Sequence, residues 1–219
     1  MVKKCTFFFL LLGLSVSAFS QRFYGGVLAG FNGSQVEGDM ARGYHKMGFL
    51  GGTWIQTDLS EAFFMGMELK FSQKGSEIIP TVRNNNWHYI YSLSYVDLPF
   101  LIGYRYKEFF SLFAGLSFNY LVDKWGMDNY GADPTVLYSD LNNWELGMLA
   151  GVKVPFERMI GRPWARNFMF DLRFQYSALS IYGKLNPFFN YNYDYCQFNN
   201  VLSFALYYRI DLVKRNSLF

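Results

Sequence analysis

Charge and cysteine are both scarce in this chain. Asp, Glu, Lys and Arg supply 17% of its 219 residues, against about 25% in ordinary soluble domains. Of two cysteines, Cys5 lies in the N-terminal leader and Cys196 far downstream, so a disulfide framework is excluded once the leader is removed. Beyond that leader the longest uncharged stretches are 14 residues, Phe23 to Val36 and Phe109 to Val122. A membrane-spanning helix needs about 20, so a helical membrane protein is excluded. No glycine-rich phosphate loop precedes an amphipathic helix, and the two histidines, His45 and His88, have no zinc-ligand spacing. A basic excess is missing too. Without Lys3 and Lys4 the balance is 18 basic to 17 acidic residues, which argues against nucleic acid as a partner.

Rings are what the chain has in abundance. Aromatic residues make up 21%, with 24 Phe and 17 Tyr, beside 20 Gly. A mean hydropathy of +0.02 shows polar residues interleaved with this apolar mass. An all-β protein fits that texture, either a soluble sandwich or a membrane barrel.

Residues 1–20 read as a cleaved secretory signal peptide. Lys3 and Lys4 are followed by an apolar core from Cys5 to Leu14, and Ala18-Phe19-Ser20 sets small residues at the −3 and −1 positions of a cut before Gln21. Residues 21–219 then form one exported domain.

A period of two runs through that domain. Phe63, Met65, Met67, Leu69 and Phe71 share one face, opposite Gly66, Glu68, Lys70, Ser72 and Lys74. Such alternation is a strand signal, since a helix would space apolar residues three and four apart. The same pattern marks Phe110 to Val122, Trp144 to Val154, Phe168 to Ser177 and Leu202 to Leu212. Noisier strands at Phe23 to Phe31, Met47 to Asp58 and Tyr89 to Arg105 complete a count of eight. Pro99 inside the last of these demands a bulge or a locally unpaired position.

Short links (59–62, 106–108, and a middling 156–166) alternate with long polar loops (32–46, 75–88, 123–143 and 178–199). That is the layout of a bacterial outer-membrane barrel, with long loops outside the cell. Aromatics crowd the expected interface levels: Phe63 and Phe64, Phe109 and Phe110, Phe168 and Phe170, Tyr104, Tyr207 and Tyr208. A soluble sandwich gains nothing from rings at both ends of each strand. The expectation is therefore an all-β, eight-stranded antiparallel transmembrane barrel in the outer membrane, with lipid as its first partner.

The interior of an eight-stranded barrel is just wide enough to be filled by side chains. The inward face carries Glu68, Asp97, Glu145, Asp171 and Asp211 against Lys70, Lys74, Arg105, Lys153, Arg173 and Arg209. An unpaired charge there costs several kcal/mol, so the near balance implies a paired network. A charged, side-chain-filled lumen disfavours a general diffusion porin.

Three segments give the chain a family likeness. They are Gly25-Gly26-Val27-Leu28-Ala29-Gly30-Phe31-Asn32, Glu68-Leu69-Lys70-Phe71-Ser72-Gln73-Lys74-Gly75 and Tyr95-Val96-Asp97-Leu98-Pro99. With them the chain resembles the PorT-like outer-membrane β-barrel proteins of Bacteroidota across essentially the whole mature sequence. The resemblance implies an eight-stranded barrel. One named member of that family is an accessory of the type IX secretion apparatus, while most relatives have no assigned role.

Chemistry is thinly represented. His88 with Ser92 or Ser94 would be a minimal lipid-hydrolase pair, but no third group is placed to orient the base. The acids Asp123, Asp128, Asp133 and Asp140 are spaced too irregularly for a calcium loop. No enzyme and no cofactor are expected. The run Phe188-Phe189-Asn190-Tyr191-Asn192-Tyr193-Asp194-Tyr195 alternates rings with small polar groups. Phe188, Phe189, Tyr191, Tyr193 and Tyr195 suit a recognition surface, or equally a hairpin extension of the last two strands. Arg158, Arg162 and Arg166 around Pro163 and Trp164 suit a basic turn at lipid headgroups or a periplasmic contact point. The leading function is a non-catalytic accessory or scaffold barrel within a larger envelope assembly, such as a secretion or insertion machine. A stand-alone surface barrel whose loops bind protein or glycan is the alternative, and a lipid-modifying enzyme a more distant one.

Overall fold

The computed structural model describes residues 23–39, 41–131, 141–182 and 196–210. Eight antiparallel strands, each bonded to its neighbours in sequence, close into a barrel where β8 pairs with β1. They are β1 (Phe23–Glu37), β2 (Lys46–Asp58), β3 (Phe63–Ile78), β4 (Tyr89–Tyr106), β5 (Phe110–Asp128), β6 (Trp144–Pro155), β7 (Phe168–Ser177) and β8 (Phe198–Ile210). A short helix, α1 (Phe156–Ile160), and a 3-10 turn at Pro163–Asn167 join β6 to β7. The expected all-β, eight-stranded fold is the observed one.

Alternation decides which side chains face out. Phe63, Met65, Leu69 and Phe71 on β3 are exposed, while Phe64, Glu68, Lys70, Ser72 and Lys74 between them are buried. Phe49, Ile102, Leu112, Leu116, Phe118 and Met148 continue the exposed apolar band around the barrel. A soluble monomer rarely exposes a contiguous apolar patch of more than a few hundred Å², so this belt belongs in lipid. Ring pairs rim it at the short-turn end: Phe63 with Tyr104 and Tyr106 with Phe110, both at 5.3 Å, and Phe168 with Tyr208 at 5.0 Å. Towards the long loops Tyr120 meets Trp144 at 4.8 Å.

Two of the rings expected in these girdles are inside. Phe64 and Tyr207 are each 1% exposed. Phe64 shares the parity of Glu68, and Tyr207 that of Ser203 and Arg209, so the pleat turns both into the lumen.

Strands run further towards the long-loop end than hydropathy predicts. β1 continues to Glu37, β3 to Ile78 and β5 to Asp128, and β8 begins at Phe198. Outward positions there are polar, as with Gln35, Glu37 and Glu77. Contrast between the two faces disappears while the hydrogen-bond ladder continues. The parity of β5 also changes. Opposite Ser94 and Tyr95 the partners jump from Asp123 to Leu121, a bulge at Val122 that leaves both Val122 and Asp123 exposed. Pro99 behaves as a proline in a strand must. It pairs with Ser117 on β5, but the β3–β4 ladder skips from Met67↔Phe100 to Lys70↔Asp97.

Leu116 lies between the Tyr106–Phe110 and Tyr120–Trp144 ring pairs, near the middle of the apolar band. Leu116→Arg is expected to destabilise the barrel by about 2–4 kcal/mol, read by urea unfolding in lipid vesicles. Val82→Arg, at a loop position 90% exposed, is expected to change stability by less than about 0.5 kcal/mol.

Candidate functional site

Inside the barrel the charges sort into two tiers. The lower one is organised by Arg173 of β7. Its guanidinium donates to Glu68 through Nη1 at 2.8 Å and Nη2 at 3.0 Å, and to Asp171 through Nε and Nη2, both at 2.9 Å. Two bidentate contacts on one guanidinium are the strongest geometry this chemistry offers. Tyr207 donates its hydroxyl to Glu68 Oε1 at 2.7 Å and itself accepts from Arg173. Lys153 is held less closely, with Nζ 3.5 Å from Glu68 and 3.9 Å from Asp171. Its ammonium also lies 4.3 Å from the ring centre of Tyr207 and 5.1 Å from that of Phe113, within cation–π range.

Lys74 centres the upper tier, 3.3 Å from Asp97 Oδ1 and 3.2 Å from Glu145 Oε2. Glu145 accepts further bonds from Ser177 Oγ at 2.7 Å and Asn199 Nδ2 at 3.1 Å. Asn119 turns its amide nitrogen to Asp97 Oδ1 at 3.1 Å and its oxygen to Gln175 Nε2 and Lys74 Nζ. Lys70, buried on β3, is the Cα partner of Asp97 on β4 and links the tiers. Glu68, Asp97, Glu145 and Asp171 thus balance Lys70, Lys74, Lys153 and Arg173 among the described residues.

The two ends of the lumen differ. At the long-loop end Val36, Tyr91, Leu93, Tyr95, Leu121, Leu141 and Ile181 form one buried apolar cluster. Segments crossing the mouth hold it in place: Asn142 N–H donates to Ile181 O and Ile181 N–H to Gln197 O, both at 2.8 Å. The short-turn end opens instead into a cavity of about 760 Å³.

Arg105 and Arg209 were expected in the buried network, and the structure places them at this mouth. Arg105 Nη2 bonds Asp58 Oδ1 at 2.8 Å with a third of its side chain exposed. Arg209 Nη2 donates to Asn167 Oδ1 at 3.3 Å. Both sit at strand ends, where the lumen widens into the cavity. Asp211 and the ring-rich run containing Phe188, Phe189, Tyr191, Tyr193 and Tyr195 lie outside the described residues, as do residues 1–20. His88 meets Glu77, Nε2 to Oε1 at 3.7 Å. On β4 Tyr91, Leu93, Tyr95 and Asp97 share the lumen parity, and Ser92 and Ser94 have the opposite one, although Ser94 too is buried. The described residues contain no group of metal-ligating side chains. Arg158 pairs with Glu108 across the turn.

Sequence reasoning missed Tyr207, Asn119, Gln175, Ser177 and Asn199 as network members. Parity alone identifies the first: it shares a face with Ser203 and Arg209. The others emerge only when register brings their strands level with Lys74.

Residues 13–182 match a family described as outer membrane protein beta-barrel domain. The chain belongs to that family. It is an outer-membrane β-barrel protein, and the exposed apolar belt is its contact with lipid. No functionally curated protein matches it in sequence. Among solved structures it is similar to Ail, the attachment invasion locus protein of Yersinia pestis, in complex with the heparin analogue sucrose octasulfate. That likeness has 13% identity and a TM-score of 0.48, over 86% of this chain and 99% of the other. It is also similar to Neisserial surface protein A, with 13% identity and a TM-score of 0.47, over 87% and 99% of the two chains. Outer-membrane barrels keep their short turns in the periplasm. The cavity of this one therefore faces the periplasm and its apolar plug the exterior.

Glu68→Gln leaves Arg173 and Lys153 short of a carboxylate, and the barrel is expected to lose about 3–5 kcal/mol in urea unfolding from lipid vesicles. Glu108→Gln, which removes an exposed partner of Arg158, is expected to cost less than about 1 kcal/mol. Equal effects would show that the buried tier is not under electrostatic constraint.

In the first outer loop, burial pushes the Asp39 carboxyl up to about 6. Bonds from Ser76 Oγ and Ala41 N–H pull it down and do not prevail. A folded value above the unfolded one favours the protonated form, so this contribution to loop stability is full below about pH 4 and lost as pH rises through about 6. Hydrogen-exchange protection at Ala41, corrected for intrinsic rate, is expected to fall across that window and to become flat in Asp39→Asn. A flat profile in the parent protein would contradict it.

Proposed function

We propose that the protein is a non-catalytic accessory or scaffold barrel of a larger envelope assembly, such as a protein secretion or insertion machine, with residues 1–20 as its cleaved signal peptide and 21–219 as the mature domain. The observation that carries this reading is the filled lumen. Two tiers of paired charge and an apolar plug occupy the space through which a porin would conduct, which leaves the lipid-facing wall and the two ends as working surfaces. The likeness to PorT-like barrels of Bacteroidota supports the same reading. Catalysis has little support: Glu77 lies beside His88, and among the described residues no hydrogen bond joins His88 to Ser92 or Ser94.

A second reading has one observation in its favour. Strands β1, β3 and β5 extend beyond the apolar band on the outer side, as a stand raising binding loops above the lipid would. Phe188, Phe189, Tyr191, Tyr193 and Tyr195 would be its contact surface for protein or glycan.

A pull-down of tagged protein from native outer membranes in mild detergent, quantified by mass spectrometry, separates the two. An accessory role is expected to yield a partner near one-to-one. A barrel that purifies alone would overturn it and move the search to the loops.

A further inference from the structure

The walls of the periplasmic cavity are cationic. Arg105, Lys153, Arg158, Arg166 and Arg209 line it, against Asp58, Glu108 and Glu157. Two of those acids are already engaged, Asp58 by Arg105 and Glu108 by Arg158. The floor is Lys153, whose side chain is only 6% exposed. Arg173 takes the short bonds to Glu68 and Asp171, which leaves Lys153 with contacts of 3.5 and 3.9 Å to the same carboxylates. Those are longer than an ordinary charge-assisted hydrogen bond of about 2.7–2.9 Å. The buried network as a whole balances four acids with four bases, and Lys153 is its member that lines the cavity.

Beside this charge the walls are apolar. Trp54, Phe64, Phe110 and Met169 line the same space. Trp54 is held by an indole bond to Val27 O at 3.3 Å, and Phe64 lies under the Arg105 guanidinium, 5.8 Å from its ring centre. A volume of about 760 Å³ is within the range of ordinary ligand sites, roughly 300–1,000 Å³. A few convergent polar groups set in an apolar lining are what such sites present.

We infer that this vestibule binds a carboxylate-bearing, partly apolar peptide segment of a periplasmic protein, with the carboxylate directed to Lys153 and Arg105 and an apolar side chain lodged by Trp54 and Met169. The inference builds on the accessory role proposed above. Five cations against three acids in the lining favour an anionic group, and the rings beside Lys153 favour one carried next to an apolar side chain, as in a peptide. Membrane phosphates are disfavoured for another reason: Lys153 and Arg105 hold the lumen parity of β6 and β4, with the strand wall between them and the bilayer. The plug at the outer end closes the far side, so a chain end can enter and be held but not pass through.

The test uses the full mature barrel refolded in nanodiscs, checked by its heat-dependent gel shift. Probes are acetyl-Gly-Ser-Leu-Phe-Gln with a free C-terminus, the same peptide with an amidated C-terminus, and sodium acetate. The readout is the indole N–H resonance of Trp54, assigned through Trp54→Phe. A saturable shift is expected with the free-carboxylate peptide, weaker by about tenfold or more with the amidated one. Lys153→Met is expected to remove the shift. Should that variant not fold, Arg105→Gln at the rim is expected to weaken binding about tenfold. No shift with either peptide at millimolar concentration would overturn the site. Equal binding of the amidated peptide would overturn its anionic preference, and acetate binding as tightly as the peptide would overturn a peptide as the ligand. A shift produced by exchanging phosphatidylcholine for phosphatidylglycerol discs, without peptide, would assign the vestibule to lipid instead. Because the isolated barrel is titrated, failure here is separate from failure of the pull-down to find a partner.

Discussion

The double clamp of Arg173 on Glu68 and Asp171 is the contact on which the rest of the barrel depends. A closed ring of eight strands has no room for bulk water at its waist, so any charge admitted there needs a charged or hydrogen-bonding neighbour. The clamp joins β3 to β7 across the lumen, Lys153 adds β6, and Tyr207 adds β8. The upper tier does the same with Lys74 of β3, Asp97 of β4, Asn119 of β5 and Glu145 of β6. Register follows from this. A slip of one residue in any of these strands would turn its charges towards lipid and its Leu or Phe residues into the charged lumen. Buried ion pairs contribute little net stability compared with well-packed apolar residues. Their worth here lies in allowing one strand alignment and penalising the others.

Much of this was legible from the sequence for one physical reason. A lipid-facing wall and a filled lumen impose opposite demands on successive residues, so hydropathy alternates wherever the strand lies within the bilayer. Phe63 to Lys74 shows that contrast without a fault, and Glu68, Lys70 and Lys74 are buried as it requires. Beyond the bilayer the outward demand changes from lipid to water. At Gln35 or Glu77 both faces tolerate polar residues and the strands become unreadable, although their hydrogen bonds continue. The bulge at Val122 is illegible for a related reason: an inserted residue shifts parity, and nothing in the local sequence marks where.

Errors inside the band came from treating rings as lipid residues. Phe64 and Tyr207 belong to the lumen, where a ring fills volume and offers a π-face to Arg105, Lys153 or Arg173. Parity was the better guide than residue type. Arg105 and Arg209 mark the opposite limit. Their parity is right and their height is not, since hydropathy does not report how far along the axis a residue sits. Only the three-dimensional register separates a charge that must be paired from one that water can reach.

That separation gives the barrel its polarity. The outer end is closed by apolar side chains from β1, β4, β5 and two crossing segments, while the periplasmic end is left wide, cationic and partly hydrated. Lys153 lies on the cavity side of the lower tier, where it has two long contacts and no short one. A neutral residue there would leave four buried carboxylates against three cations, so the charge itself is required. In the proposed vestibule the same ammonium would serve twice, balancing Glu68 and Asp171 from within and meeting a carboxylate from the periplasm.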